Sequence, residues 1–197
     1  MKKALVIIGI LFIIFSIILY ISKSIFWFNT ATIGVWLLFD TLSAARKNKT
    51  TADLITRKKY GKFVKLYFYL LAFGILIESI GSLLLGLWSY PKLWSLEPLS
   101  FLIIANVAGY LFYPFILMSF REMYNFLNSF IRNKITTAIL SMIVGILIWE
   151  VPNVYSKDWI YKIPYINVEI FHINILVIIG WVILIMGSLK FYKIAGN

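Results

Sequence analysis

The sequence predicts an all-α fold, a polytopic transmembrane bundle of six helices forming a single domain over residues 1–197. Three observations carry this expectation. Hydrophobic residues make up 61% of the chain and charged residues only 14%, whereas soluble domains hold about 45–50% apolar and about 25% charged residues. A compact fold of 197 residues cannot hide that excess from water, because surface area falls too slowly with size. Apolar runs close to the roughly 20 residues that cross a hydrocarbon core of about 30 Å recur six times along the chain. Finally, Lys and Arg gather in alternate loops rather than on one face.

The runs cover about 4–21, 25–42, 63–88, 99–120, 135–149 and 171–189. The first follows Lys2 and Lys3 like a signal peptide, but it exceeds the usual apolar length of about 7–15 residues and no A-x-A-like site follows. It is therefore expected to stay as a helix. The second is the most polar, with Asn29, Thr30, Thr32 and Asp40. The third carries Glu78 among Gly74, Gly81 and Gly86, and the fourth holds Asn106 and Pro114, a proline expected to kink it. The sixth is free of Lys, Arg, Asp and Glu up to Leu189.

Six crossings with the N-terminus inside place fifteen cations, in 2–3, 46–65, 121–134 and 190–193, on the cytoplasmic side. Only Lys23, Lys92, Lys157 and Lys162 fall outside. Short basic loops stay cytoplasmic, so both termini are expected there, in the cell membrane of a prokaryote. The inner loops would attract anionic lipid headgroups. Between Arg121 and Lys134, the apolar residues Met123, Phe126, Leu127, Phe130 and Ile131 recur at helical spacing. This stretch reads as a helix on the membrane surface or as an extension of the fourth run. The formal charge of +11 does not indicate nucleic acid, since the cations lie between apolar runs rather than on a soluble face.

Several chemistries are excluded or unsupported. The chain has no cysteine and one histidine, His172, so no thiolate or multi-histidine metal site is expected. No phosphate-cradling glycine motif is present and no cofactor is expected. The outer loops hold Trp88, Tyr90, Trp94, Trp149, Tyr155, Trp159, Tyr161 and Tyr165, which an interfacial aromatic belt would explain. An internal duplication is also suggested. Trp88-Ser89-Tyr90-Pro91 and Trp149-Glu150-Val151-Pro152 each follow a Ser-x-x-x-Gly, and Asn106 and Asn174 come in the helices that follow.

Glu78 is the leading candidate for a ligand or proton site, because an acid within a span is expensive and must be paired, protonated or facing water. Ser82 lies one turn on along the same face. Glu150, Glu169 and Asn106 complete the candidate set. Glu150 is expected at a water-accessible helix end, Asp40 as a solvated cap near Arg46 and Lys47, and His172 at the start of the sixth helix.

Trp149-Glu150 with Asn153, then Trp159-x-Tyr161, then Glu169 and Phe171 beyond Pro164, form a pattern across Trp149–Trp181. It resembles one half of the small membrane lycopene cyclases of bacteria and archaea. Gly86 to Tyr110 echoes the same unit through Trp88-Ser89-Tyr90-Pro91. The family carries paired glutamates after a proline; here Pro164 is followed by four other residues before a single Glu169, and Pro98 by Leu99-Ser100. The resemblance implies a helical scaffold for an isoprenoid. The missing pair weighs against cyclase activity, an isomerisation that needs an acid to protonate a polyene. Three functions follow: a protein binding or modifying a hydrophobic isoprenoid-like ligand, a substrate-binding subunit of a vitamin-type importer, or a noncatalytic assembly protein. A partner subunit in the membrane or a second copy of the chain would accompany the latter two.

Overall fold

A computed structural model describes residues 2–164, 168–170 and 172–196. Two aromatic positions noted above, Tyr165 and Phe171, lie outside the described residues. The fold is helical, with two short antiparallel ribbons at one end of the bundle.

Helix α1 (Lys2–Ile21) is apolar on every side, and Ile7, Leu11, Ile18 and Ile21 are all exposed. It packs along α2 (Trp27–Ala45), and the two backbones meet at glycines. A Cβ added to Gly34 would lie 2.8 Å from the carbonyl oxygen of Gly9, so only glycine permits this approach. Helix α3 (Thr51–Thr56) is a single short piece closed by a reciprocal cap, in which Thr50 and Asp53 each accept the other's backbone N–H. Helix α4 (Tyr60–Glu78) then loosens into a π-helical turn over Ser79–Leu84. At Gly86 the chain adopts φ +60°, a left-handed conformation that suits glycine, and reverses into strand β1 (Trp88–Ser89).

Short helices α5 (Pro91–Trp94) and α6 (Pro98–Ile104) follow. A second π turn (Ala105–Gly109) and a tight turn (Tyr110–Phe112) lead into α7 (Tyr113–Ile131). Helix α8 (Lys134–Gly145) is capped by the Asn133 side chain, which accepts from the N–H groups of Ile135 and Thr136. A third π turn (Ile146–Glu150) joins it to α9 (Val151–Ser156). Strand β2 (Ile160–Tyr161), the hairpin of β3 (Glu169–Ile170) and β4 (Ile173–Asn174), and α10 (Ile175–Gly196) complete the chain.

Helix α7 is the central pillar, contacted by α2, α4, α8 and α10. Its opposite faces feed two cores. One gathers Phe120, Trp149, Trp181 and Ile185, with the two indoles stacked at 5.9 Å. The other holds Trp36, Leu66, Leu70, Leu117 and Met118.

Among the described residues, four helical stretches rather than six are long and apolar enough to cross a membrane: Ala4–Ile21, Tyr60–Leu84, Lys134–Ser156 and Ile175–Ile194. The two shortfalls have physical causes. Helix α2 keeps its polar residues inside, with Asn29, Thr32 and Asp40 all buried. The fourth expected run is broken between Ala105 and Phe112, and the helix that continues from it carries Arg121 and Glu122. Other boundaries also move. The third helical stretch ends at Leu84 and leaves Trp88 in a strand; the sixth helix begins at Ile175, with His172 in the hairpin turn at φ 62°. Pro114 falls in the first turn of α7, where a missing N–H costs nothing, and the break precedes it. The stretch after Arg121 is the second half of α7, with Met123 fully buried, and not a separate surface helix.

Asp40 is not a solvated cap. It is 3% exposed, and its Oδ1 accepts from the Thr51 hydroxyl at 3.0 Å and the Ala52 N–H at 2.8 Å. Beside it, Glu122 of α7 accepts the Thr51 N–H at 2.9 Å through Oε1, and Arg121 also bonds that oxygen. Arg121 stacks on the Tyr192 ring and donates to the carbonyl of Lys49. Two helices thus hold the start of α3 with buried acids.

Two predictions follow from these contacts. Gly34→Val forces α1 off α2 and lowers stability by about 1–3 kcal/mol, the usual cost of overpacking, read as a fall in melting temperature. Glu122→Ala leaves the buried Thr51 N–H and the Arg121 guanidinium without their shared acceptor and lowers stability by about 3–5 kcal/mol, the usual cost of breaking a buried ion pair, again read as a fall in melting temperature.

Candidate functional site

Two carboxyl groups meet under one ribbon. Glu78 ends α4 and is buried; its Oε1 accepts from the Trp88 indole N–H at 3.0 Å and its Oε2 from the Tyr90 hydroxyl at 2.9 Å. Ser82 also bonds this carboxyl, from the next turn of the same face. Glu150 ends the third π turn and is 1% exposed. Its Oε1 accepts from the Tyr161 hydroxyl at 2.6 Å and the Trp181 indole at 3.1 Å, and its Oε2 from the Trp159 indole at 3.3 Å. An indole N–H can only donate, so Glu78 Oε1 and both oxygens of Glu150 are fixed as acceptors. The donors are neutral.

The ribbon explains how both cages form. Strands β1 and β2 pair antiparallel with Trp88 opposite Tyr161 and Ser89 opposite Ile160. A local two-fold axis through the Ser89–Ile160 pair exchanges Trp88 with Trp159 and Tyr90 with Tyr161. Alternate residues of a strand share a face, so the four aromatic residues project together on one side. The Trp88 and Tyr161 rings meet edge to face at 6.5 Å. Trp88 also lies directly over Gly81, where a Cβ would collide with the indole. Burial and the nearby Glu78 hold the Tyr90 phenol well above its ordinary pKa. Burial and Glu150 do the same for Tyr161. Both stay protonated as donors.

Further contacts pin the ribbon. Asn153 donates to the Trp159 carbonyl at 2.9 Å and accepts the Trp159 N–H at 3.0 Å. Asp158 forms an ion pair with Lys92 at 2.6 Å and accepts from the Trp27 indole and the Ser156 hydroxyl.

Beneath the ribbon lies a cavity of about 430 Å³. Glu78 and Glu150 both line it, with Asn29, Tyr113, Trp181 and otherwise mostly apolar side chains. Of the candidates from sequence, Glu78 and Glu150 are brought together here. Glu169 is exposed on β3 and lines a second, outward hollow of about 820 Å³ with Glu150 and His172. Asn106 is exposed in the second π turn and does not line the cavity. Glu150 is enclosed rather than at a wet helix end, since the ribbon folds back over it. No group of three or more metal-ligating side chains occurs among the described residues.

The aromatic residues divide differently from an interfacial belt. Trp94 and Tyr155 face outward, 54% and 77% exposed, but Trp149 is a core residue and the ribbon aromatics serve the acids. The two-fold axis equates Trp88 with Trp159, not with Trp149. The signal for this is a Trp-x-Tyr that occurs twice, ten residues after Glu78 and nine after Glu150. Glu122, Asp158 and the donor roles of Trp159 and Tyr161 were not legible as site features from sequence. Compared with known protein families, curated proteins and solved structures, the chain matches none.

Removing one donor tests the cages. Tyr161→Phe leaves Glu150 short of its closest hydrogen bond and lowers stability by about 1–3 kcal/mol. Ser89→Ala, on the opposite side of the ribbon, changes the melting temperature by less than half as much.

Proposed function

We propose that this chain is a multi-pass membrane protein of a prokaryotic cell membrane that binds a hydrophobic, isoprenoid-like ligand in the cavity beneath the ribbon. The single observation that carries this reading is a largely apolar cavity of about 430 Å³ whose wall presents two buried carboxyl groups, each oriented by Trp and Tyr donors. Ligand sites are typically concave and apolar, with a few placed polar groups that fix orientation. The resemblance to the small membrane lycopene cyclases supports the ligand class. Glu150, Asn153, Trp159 and Tyr161, which carry that resemblance, are hydrogen-bonded to one another around one carboxyl. Glu78 and Glu150 orient the polar or unsaturated end of the ligand.

In this reading α2 and α7 complete six crossings around the four long apolar helices. The gathering of fifteen of the nineteen Lys and Arg at the two ends and in alternate loops supports both termini being inside. The ribbon then lies at the outer face, and the α3 loop, with its cluster of cations, faces anionic headgroups inside.

Purification in nanodiscs formed directly from native membranes, followed by native mass spectrometry and lipid extraction, tests the proposal. The native chain retains a hydrophobic molecule, and the double variant Glu78→Gln with Glu150→Gln retains about tenfold less, the usual consequence of losing an interaction of about 1.4 kcal/mol. Equal retention by the folded double variant contradicts the reading.

A further inference from the structure

The ribbon covers the cavity, Trp94 of α5 lines it and is 54% exposed, and the cavity also opens at its side. On the loop side the ribbon roofs it, and the Lys92–Asp158 ion pair, tied to Trp27 of α2, clasps the roof. On the other side its lining includes Leu83 and Ile183, which are 70% and 56% exposed. Side chains that wall a sealed cavity are not so exposed. Leu83 belongs to the apolar stretch Tyr60–Leu84 and Ile183 to Ile175–Ile194, so the gap is bounded by two of the apolar helical stretches. Phe101 of α6 also lines the cavity. Two glycines keep it open: Gly109 and Gly180 both line the cavity, and a Cβ added to either meets no atom within 4 Å.

We infer that this gap is a lateral portal, through which one hydrocarbon chain passes from the bilayer into the cavity. The inference rests on the membrane and ligand reading above and adds the route and the orientation. The ligand's functional end lies under the ribbon beside Glu78 and Glu150, where the polar groups are. Its tail leaves between the π turn after α4, helix α6 and helix α10, where the lining is apolar. A chain taking this route stays in oil throughout, so no apolar surface has to pass through water. The occupant is therefore a membrane lipid chain.

The test uses the full chain in nanodiscs with two geranylgeraniol probes, one carrying a diazirine near the hydroxyl end and one at the tail end. Photolabelled peptides are mapped by mass spectrometry. The hydroxyl-end probe labels the Trp88–Tyr90 and Trp159–Tyr161 segments, and the tail-end probe labels α6 near Phe101 and α10 near Ile183. Gly180→Trp fills the open space and lowers cavity labelling by both probes by about tenfold, within the range that overpacking an apolar site produces. Gly180→Leu, a smaller plug, serves if the tryptophan variant does not fold. Ile179→Trp, on the exposed side of the same helix and outside the cavity lining, leaves labelling unchanged. If Gly180→Trp and Gly180→Leu fold and label like the native chain, or the two ends label in the reverse order, the portal is overturned. In that case retention that still depends on Glu78 and Glu150 leaves the ligand reading standing. No labelling of any cavity residue by either probe overturns both.

Discussion

A carboxyl group removed from water must be given hydrogen bonds or it destabilises the fold that holds it. Glu78 and Glu150 impose that condition twice, one at the start and one at the end of a π turn in two different helical stretches. Among the described residues neither forms an ion pair; Lys92, which also lines the cavity, is paired with Asp158. The donors are indole N–H and phenol O–H groups, five of them on named tryptophans and tyrosines. Four of the five come from one two-stranded ribbon. The ribbon therefore cannot be a passive loop. It is the element that makes two buried acids tolerable, and in doing so it roofs the cavity they line.

The opposite end of the bundle solves the same problem with different chemistry. There Asp40 and Glu122 bond the first backbone N–H groups of α3, and one guanidinium, Arg121, serves the pair. Helix α7 connects the two ends. Its middle residues are buried on all sides and it carries Glu122 itself, while its neighbours α2 and α4 supply Asp40 and Glu78 and the π turn after α8 supplies Glu150. One end is left with neutral donors around its acids, the other with a cation and a helix start. This difference matches a ligand-facing site at the ribbon and an anchored loop at α3.

The helical class and the four longest apolar stretches were legible because lipid-length hydrophobicity is a property of composition alone. The count was not, since α2 is polar on its buried side and the fourth run breaks into unlike turns between Ala105 and Phe112. Periodicity cannot tell a polar residue bonded inside a bundle from one facing water. For that reason Asp40 and Glu150 were expected to be wet, and both are buried. Glu78 stood out because it interrupts an apolar run. Its partners did not, because Trp88 and Tyr90 at a helix end look the same whether they face headgroups or turn back onto an acid. The twice-repeated Trp-x-Tyr after a glutamate held the missing information. Only the strand pairing shows that the two copies face each other.

The most direct test of that pairing exploits the absence of cysteine from the chain. Ser89 and Ile160 sit opposite one another and on the far side of the ribbon from the aromatic cage. A Ser89→Cys, Ile160→Cys double variant should oxidise to an intramolecular disulfide in mild air, seen by intact mass and by a linked peptide after digestion, with no loss of folded protein. Failure to cross-link, or equal cross-linking when Ile163→Cys replaces Ile160→Cys, would contradict a register that sets both tryptophans and both tyrosines over the two acids.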